Sequence, residues 1–198
     1  MISVEAARIT AILGPPKCGK TWALFHAAKL ADSGVPFVMW SSTRTAHWMA
    51  QTATLFDIDA ENRLFGWSVD MDRALRVRSP SYFLDEVRVN TWHELKSLGE
   101  FARTAHAGVV VTIPSRRTKD KGTTTRKLFE AIEPACATVW AFHKSIPNQL
   151  VCLKGEFLGG ALVMPDPPDA TPMHWVEKPR NQRGPDAWAL LLKDPFAP

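Results

Sequence analysis

The stretch Arg8-Ile-Thr-Ala-Ile-Leu-Gly-Pro-Pro-Lys-Cys-Gly-Lys-Thr21 decides how this chain of 198 residues is read. Arg8–Leu13 is a short apolar run of strand type, and Thr21–Ser33, ended by Gly34, has helical character. Between them, Gly14-Pro15-Pro16-Lys17-Cys18-Gly19-Lys20-Thr21 fixes two glycines, then a lysine, then a hydroxyl. Glycines that permit a tight, left-handed turn between strand and helix let successive backbone N–H groups point at one place. The helix start adds unpaired donors and partial positive charge. A phosphate chain is what such a cradle suits. Lys20 is placed to meet the β- and γ-phosphates of ATP, and the Thr21 hydroxyl to ligate Mg²⁺. Gly14, Pro15, Pro16, Lys17, Cys18 and Gly19 form the cradle itself, with Cys18 lining it through its backbone.

Outward from this loop, short apolar runs alternate with helix-like stretches. Strands are expected at Pro36–Trp40, Arg63–Val69, Ser81–Leu84, Val109–Ile113, Thr138–Phe142, Gln149–Leu153 and Ala161–Met164. Helices are expected around Ala46–Phe56 and over Thr91–Ala105, the second closed by Gly108. The alternation predicts an α/β fold with a mostly parallel sheet covered on both faces and a terminal hairpin at Gly155–Gly160. Composition allows it: 45% of residues are hydrophobic and 22% charged, which excludes a disordered chain or a collagen-like repeat. The three cysteines have no metal-ligand spacing, and no apolar run reaches the ~20 residues of a membrane-spanning helix. A soluble, cytoplasmic protein with no membrane partner is expected. Eight of the fifteen prolines lie between Pro165 and Pro198. That shift divides the chain into a domain over 1–164 and a tail over 165–198.

Ser81-Tyr-Phe-Leu-Asp-Glu86 is an apolar strand ending in two carboxylates. Beside a phosphate loop this pattern assigns Asp85 to Mg²⁺ and Glu86 to orienting or deprotonating the attacking water; the bland alternative is an acidic strand end that caps the next helix. The next strand carries Thr112, where a hydroxyl can sense the γ-phosphate; the bland alternative is a solvent-exposed threonine.

Taken in order, these pieces resemble the RecA-like group of P-loop ATPases, in particular the RadA, DnaB and KaiC type, over roughly residues 8–164. The resemblance implies a Mg-dependent ATPase that acts on nucleic acid, DNA by preference, as a ring or filament with ATP between subunits. Two departures stand out. The group's glutamate after the second strand is replaced by Ser41-Ser42-Thr43, so Glu86 takes the role, as in FtsK/HerA and viral packaging ATPases. In the closing hairpin Lys154 is kept for a neighbour's γ-phosphate, but Glu156 stands where an arginine is expected, so either another residue such as Arg88 or Arg103 acts in trans or hydrolysis is weak. The small size points to a viral or mobile-element protein. Three rival functions stay open: a genome-packaging motor, a nucleoside kinase similar to thymidine kinase, and a non-catalytic nucleotide-gated scaffold.

Ser115–Lys127 holds six cations and one anion. It follows the Thr112 strand, the place from which RecA-like proteins project a nucleic-acid-binding loop. Arg116, Arg117, Lys119, Lys121, Arg126 and Lys127 are the candidate phosphate contacts, against the alternative of a solvated connector. Of the eight tryptophans, Trp22, Trp40, Trp67, Trp92 and Trp140 read as packing, while Trp48 has a second reading as a base-stacking residue. In the tail, Asp186–Lys193 has helical propensity and a Trp188, Leu191, Leu192 stripe that can dock on the domain or on a partner protein.

Overall fold

A computed structural model describes residues 2, 4–31, 36–59, 64–67, 71–89, 92–115, 125–143, 146 and 148–165. The strands are β1 (Ile9–Gly14), β2 (Val38–Ser41), β3 (Leu64–Trp67), β4 (Ser81–Asp85), β5 (Gly108–Pro114), β6 (Thr138–Phe142), β7 (Gln149–Lys154) and β8 (Ala161–Val163). The helices are α1 (Lys20–Ala31), α2 (Ala46–Leu55), α3 (Met71–Arg76), α4 (Trp92–Ala105) and α5 (Thr125–Ile132), with a 3₁₀ turn at Glu133–Ala135. One sheet orders the strands β3-β2-β4-β5-β1-β6-β7-β8. The pairings from β3 to β6 are parallel, and β7 and β8 close the sheet antiparallel. This is the α/β fold that the alternation predicts.

The strand period of two sorts the core. Ile12, Met39, Phe83, Val110 and Trp140 pack with Leu24, Phe25, Ala28, Met49 and Phe56 on the α1–α2 face. Their neighbours Ala11, Leu13, Trp40, Leu84, Val111 and Val139 pack with Leu95, Leu98, Ala102 and Ile132 on the other face. Near-continuous burial along β1, β4 and β5 is what a sheet covered on both sides requires. Trp40 and Trp140 are buried, as expected, and Trp22 stacks on Phe56 at 5.5 Å. The side chains of Trp67 and Trp92 lie outside the described residues.

Several boundaries differ from expectation for physical reasons. α4 is closed by His106, at φ +51°, rather than by Gly108, which begins β5. Ala107 N–H donates to Ala102 O and His106 N–H to Arg103 O, so the last carbonyls are satisfied without a glycine. α3 has only six residues, too few for a hydrophobic period to register. α5 begins at Thr125, so the last three residues of the Ser115–Lys127 stretch belong to a helix, whose apolar positions start only at Leu128. Residues 116–124 and the tail from 166 lie outside the described residues, as does Gly34. Among the described residues no helix is long and apolar enough to cross a membrane.

Candidate nucleotide and phosphate site

The carboxyl ends of β1, β2, β4 and β5 meet at one edge of the sheet, because parallel strands in register deliver their last residues together: Ser41 stands opposite Asp85, and Ile12 opposite Thr112. The β1–α1 loop leaves from that edge. Lys17 (φ +64°) and Gly19 (φ +99°) adopt left-handed backbone, the second being the position where a side chain would be strained. A Cβ on Gly14 would lie 2.5 Å from Cys18 Sγ and 3.2 Å from the Phe142 ring, so the loop closes on itself only without one. Ser115 N–H donates to Gly14 O at 2.9 Å and anchors the loop base to the chain leaving β5.

Lys20, the first residue of α1, is 2% exposed. Its ammonium donates to Pro15 O at 2.9 Å and pairs with Glu86 Oε1 at 3.0 Å. Thr21 Oγ1 donates to Asp85, 3.1 Å from Oδ1 and 3.3 Å from Oδ2. Ser41 Oγ donates to Asp85 Oδ2 at 3.1 Å, and Thr112 Oγ1 to Oδ1 at 2.9 Å. Asp85 thus carries three hydroxyl donors while only 1% exposed. Burial holds its carboxyl above the usual carboxylate range, with Glu86 adding to the rise and the three hydroxyls opposing it. Hard oxygen donors, the buried Asp85 carboxylate beside the half-buried Thr21 hydroxyl, fit Mg²⁺ better than a softer metal.

The candidate residues among those described have definite places. Lys20, Thr21, Asp85, Glu86 and Thr112 converge. Thr112 is fully buried and spends its hydroxyl on both acids, since Oγ1 also accepts from Glu86 N–H at 2.7 Å; the solvent-exposed alternative falls. Lys154 does not join them. It stands opposite Val139 at the far end of the sheet and binds Glu133 through Oε1 at 2.8 Å and the backbone O at 2.7 Å. Pro15, Pro16 and Lys17 are exposed at the loop tip. Burial, opposed by Lys20, pushes the Cys18 thiol up, which disfavours a thiolate there. Arg116, Arg117, Lys119 and Lys121 lie outside the described residues; Lys127 is exposed on α5, and for Arg126 only the backbone is described. Trp48 is half-buried, edge-on to Phe25 at 6.3 Å, with the Arg44 guanidinium 4.8 Å from its ring.

Sequence reasoning passed over three contributors. Ser41 and Ser42 register there only as the absence of a glutamate, yet Ser42 Oγ donates to Glu86 O at 2.8 Å and Ser41 Oγ binds Asp85. Phe142 closes the loop from β6, a contact across more than a hundred residues that no local pattern announces.

No protein-family model and no curated protein sequence matches this chain. Among solved structures it is similar to the RadB recombinase, with a TM-score of 0.55 and 15% identity over 80% of this chain and 87% of that one. At that identity the likeness speaks for the fold, which is RecA-like.

Proposed function

We propose that this chain binds Mg·ATP in the 14–21 loop and hydrolyses it, with nucleic acid as the partner that stimulates turnover. The observation that carries the reading is the convergence of Lys20, Thr21, Asp85 and Glu86 within 3.0–3.3 Å at the loop. Lys20 brings a buried cation that exchanges Glu86 for phosphate oxygens when nucleotide enters. Thr21 and Asp85 are the residues that would hold Mg²⁺, which when bound neutralises charge on the phosphate oxygens. Glu86, released from Lys20 and 24% exposed, accepts a proton from the attacking water. Similarity to a recombinase supports DNA as the nucleic acid. The 115–127 segment, which leaves the sheet beside Gly14, supplies the phosphate contacts through Arg116, Arg117, Lys119, Lys121, Arg126 and Lys127. A ring or filament belongs to the reading, with Lys154, Arg88 or Arg103 offered to a neighbour's nucleotide.

The test is phosphate release from Mg·ATP with and without single- and double-stranded DNA and RNA. Hydrolysis is expected, raised by nucleic acid. Replacing Arg116, Arg117, Lys119 and Lys121 with alanine should remove the stimulation and lower the log–log salt slope of binding by roughly 0.7–0.9 per contact. ATP affinity should stay unchanged. Transfer of phosphate to a nucleoside instead of water would make the protein a kinase, and nucleotide binding without turnover would make it a scaffold.

A further inference from the structure

Two successive residues of a strand point to opposite faces of the sheet. Asp85, the last residue of β4, and Glu86, the residue after it, nonetheless reach the same loop, Asp85 at Thr21 and Glu86 at Lys20. The backbone explains the convergence: Glu86 has φ +55°, a left-handed conformation uncommon for a residue with a side chain. Such a conformation is costly and persists only where the surroundings over-determine it. The surroundings here are two hydroxyls. Thr112 Oγ1 accepts from Glu86 N–H at 2.7 Å, and Ser42 Oγ donates to Glu86 O at 2.8 Å. Flanking backbone bonds, Ser42 N–H to Asp85 O and Val87 N–H to Thr112 O, fix the strands that carry those hydroxyls.

We propose that Ser42 and Thr112 form a clamp on the N–H and C=O of Glu86, and that this clamp turns the Glu86 carboxylate back toward Lys20 and the nucleotide. Ser42 is then a positioning residue for hydrolysis. The inference rests on the reading of Glu86 as the base. It also gives the serines after β2 a purpose, since they hold a base supplied by β4 instead of supplying one themselves.

Ser42 is the informative member, because the Thr112 hydroxyl also binds Asp85. Steady-state hydrolysis and binding of a non-hydrolysable ATP analogue are measured for wild type, Ser42→Ala, Ser42→Thr, Glu86→Gln and the Ser42→Ala/Glu86→Gln double variant, each checked for folding by circular dichroism. Ser42→Ala should lower kcat by about 10- to 100-fold, the size of a small misplacement of a reacting group, with KM and analogue affinity within about threefold. Ser42→Thr, which keeps the hydroxyl, should recover most of the rate. In the Glu86→Gln background Ser42→Ala should cost nothing more, because both act through one carboxylate. Wild-type kcat in a folded Ser42→Ala protein, or an equal loss with and without Glu86, overturns the clamp. If Ser42→Ala does not fold, Ser42→Cys, of similar size but a weak donor, is read in its place by the same criteria. A Glu86→Gln protein that turns over normally overturns instead the reading of Glu86 as base.

Discussion

Two lysine–glutamate pairs of nearly equal length sit at opposite ends of the sheet. Lys20–Glu86 spans 3.0 Å with side chains 2% and 24% exposed, whereas Lys154–Glu133 spans 2.8 Å with side chains 31% and 40% exposed. Distance does not separate them; solvent does. Taking an ammonium out of water costs several kcal/mol, and one imperfectly shielded partner does not fully return it. The loop pair is therefore held against its own desolvation, the condition under which a lysine gains most by exchanging a carboxylate for phosphate. At the far end, water screens both partners of Lys154–Glu133, and the pair fastens β7 to the turn before β6. On the proposed reading the first pair exchanges its carboxylate for phosphate, and the second stays intact unless a neighbour's nucleotide draws Lys154 away.

The sharpest way to break the comparison is Lys20→Ala. Truncating one partner of a buried charged contact costs about 2–5 kcal/mol, so Mg·ATP affinity should fall at least about 30-fold, with hydrolysis lost. The fold should survive, because the desolvation penalty of the ammonium leaves with it. Calorimetric titration with ATP and a thermal melt read the two halves. Unchanged affinity in a folded Lys20→Ala protein would remove nucleotide binding from the loop. Glu86→Gln comes next in size: nucleotide stays bound while turnover drops by about 10²–10⁴, the usual worth of a general base, measured as single-turnover phosphate release.

How far the sequence leads differs between the two pairs for the same physical reason. The Lys20 end is legible because its geometry is local. Gly14, Gly19, Lys20 and Thr21 are read from fixed spacing, and Asp85 from an apolar strand that stops at an acid. The sequence also places Thr112 at the right end of β5, but not its partners, since a hydroxyl declares no partner 27 residues away. Ser41 and Ser42 are harder still, because their acceptors lie 44 residues on. Lys154 is a different case, because it is read toward a neighbour's nucleotide and not toward its own chain's. Its strand is correctly recognised, but only the antiparallel register, Val139 opposite Lys154, reveals that it faces away from its own chain's phosphate loop. α3 and α5 escape because six residues, or eight of which the first three are polar, are too short for a hydrophobic period to register.

Asp85→Asn tests the desolvation half of the comparison with a smaller effect. Burial is the main reason this carboxyl sits above its usual range, so a neutral amide of the same shape should be easier to hold. The Thr21 hydroxyl can rotate to suit the amide, whereas Ser41 Oγ already accepts from Thr43 and Arg44 N–H and Thr112 Oγ1 from Glu86 N–H, which offsets part of the gain. The expected outcome at neutral pH is a protein about 0.5–2 kcal/mol more stable, with Mg²⁺-dependent turnover lost, as at other sites where function is kept at a stability cost. A destabilised Asp85→Asn protein, seen by urea unfolding, would mean that the hydroxyl–carboxylate bonds outweigh the burial of charge.

The smallest effect belongs to Lys154→Ala, and it sharpens the contrast most. A half-exposed pair is worth about 0.2–1 kcal/mol, so unfolding should shift by no more than that. Mg·ATP affinity of the isolated chain should not change, because Lys154 lies at the other end of the sheet from Gly14. Turnover is the discriminating quantity, measured across a protein dilution series. If Lys154 serves only its own chain, wild type and Lys154→Ala show the same specific activity at every concentration. If it crosses to a neighbour's nucleotide, the two coincide in dilute solution and separate as the protein associates. In that case Glu133→Ala, which removes the carboxylate partner of Lys154 but leaves the backbone O it also binds, should leave the concentrated activity at least as high as wild type. A drop with Glu133→Ala equal to that with Lys154→Ala would return the pair to its structural role, with the fastening of β7 itself as the thing lost.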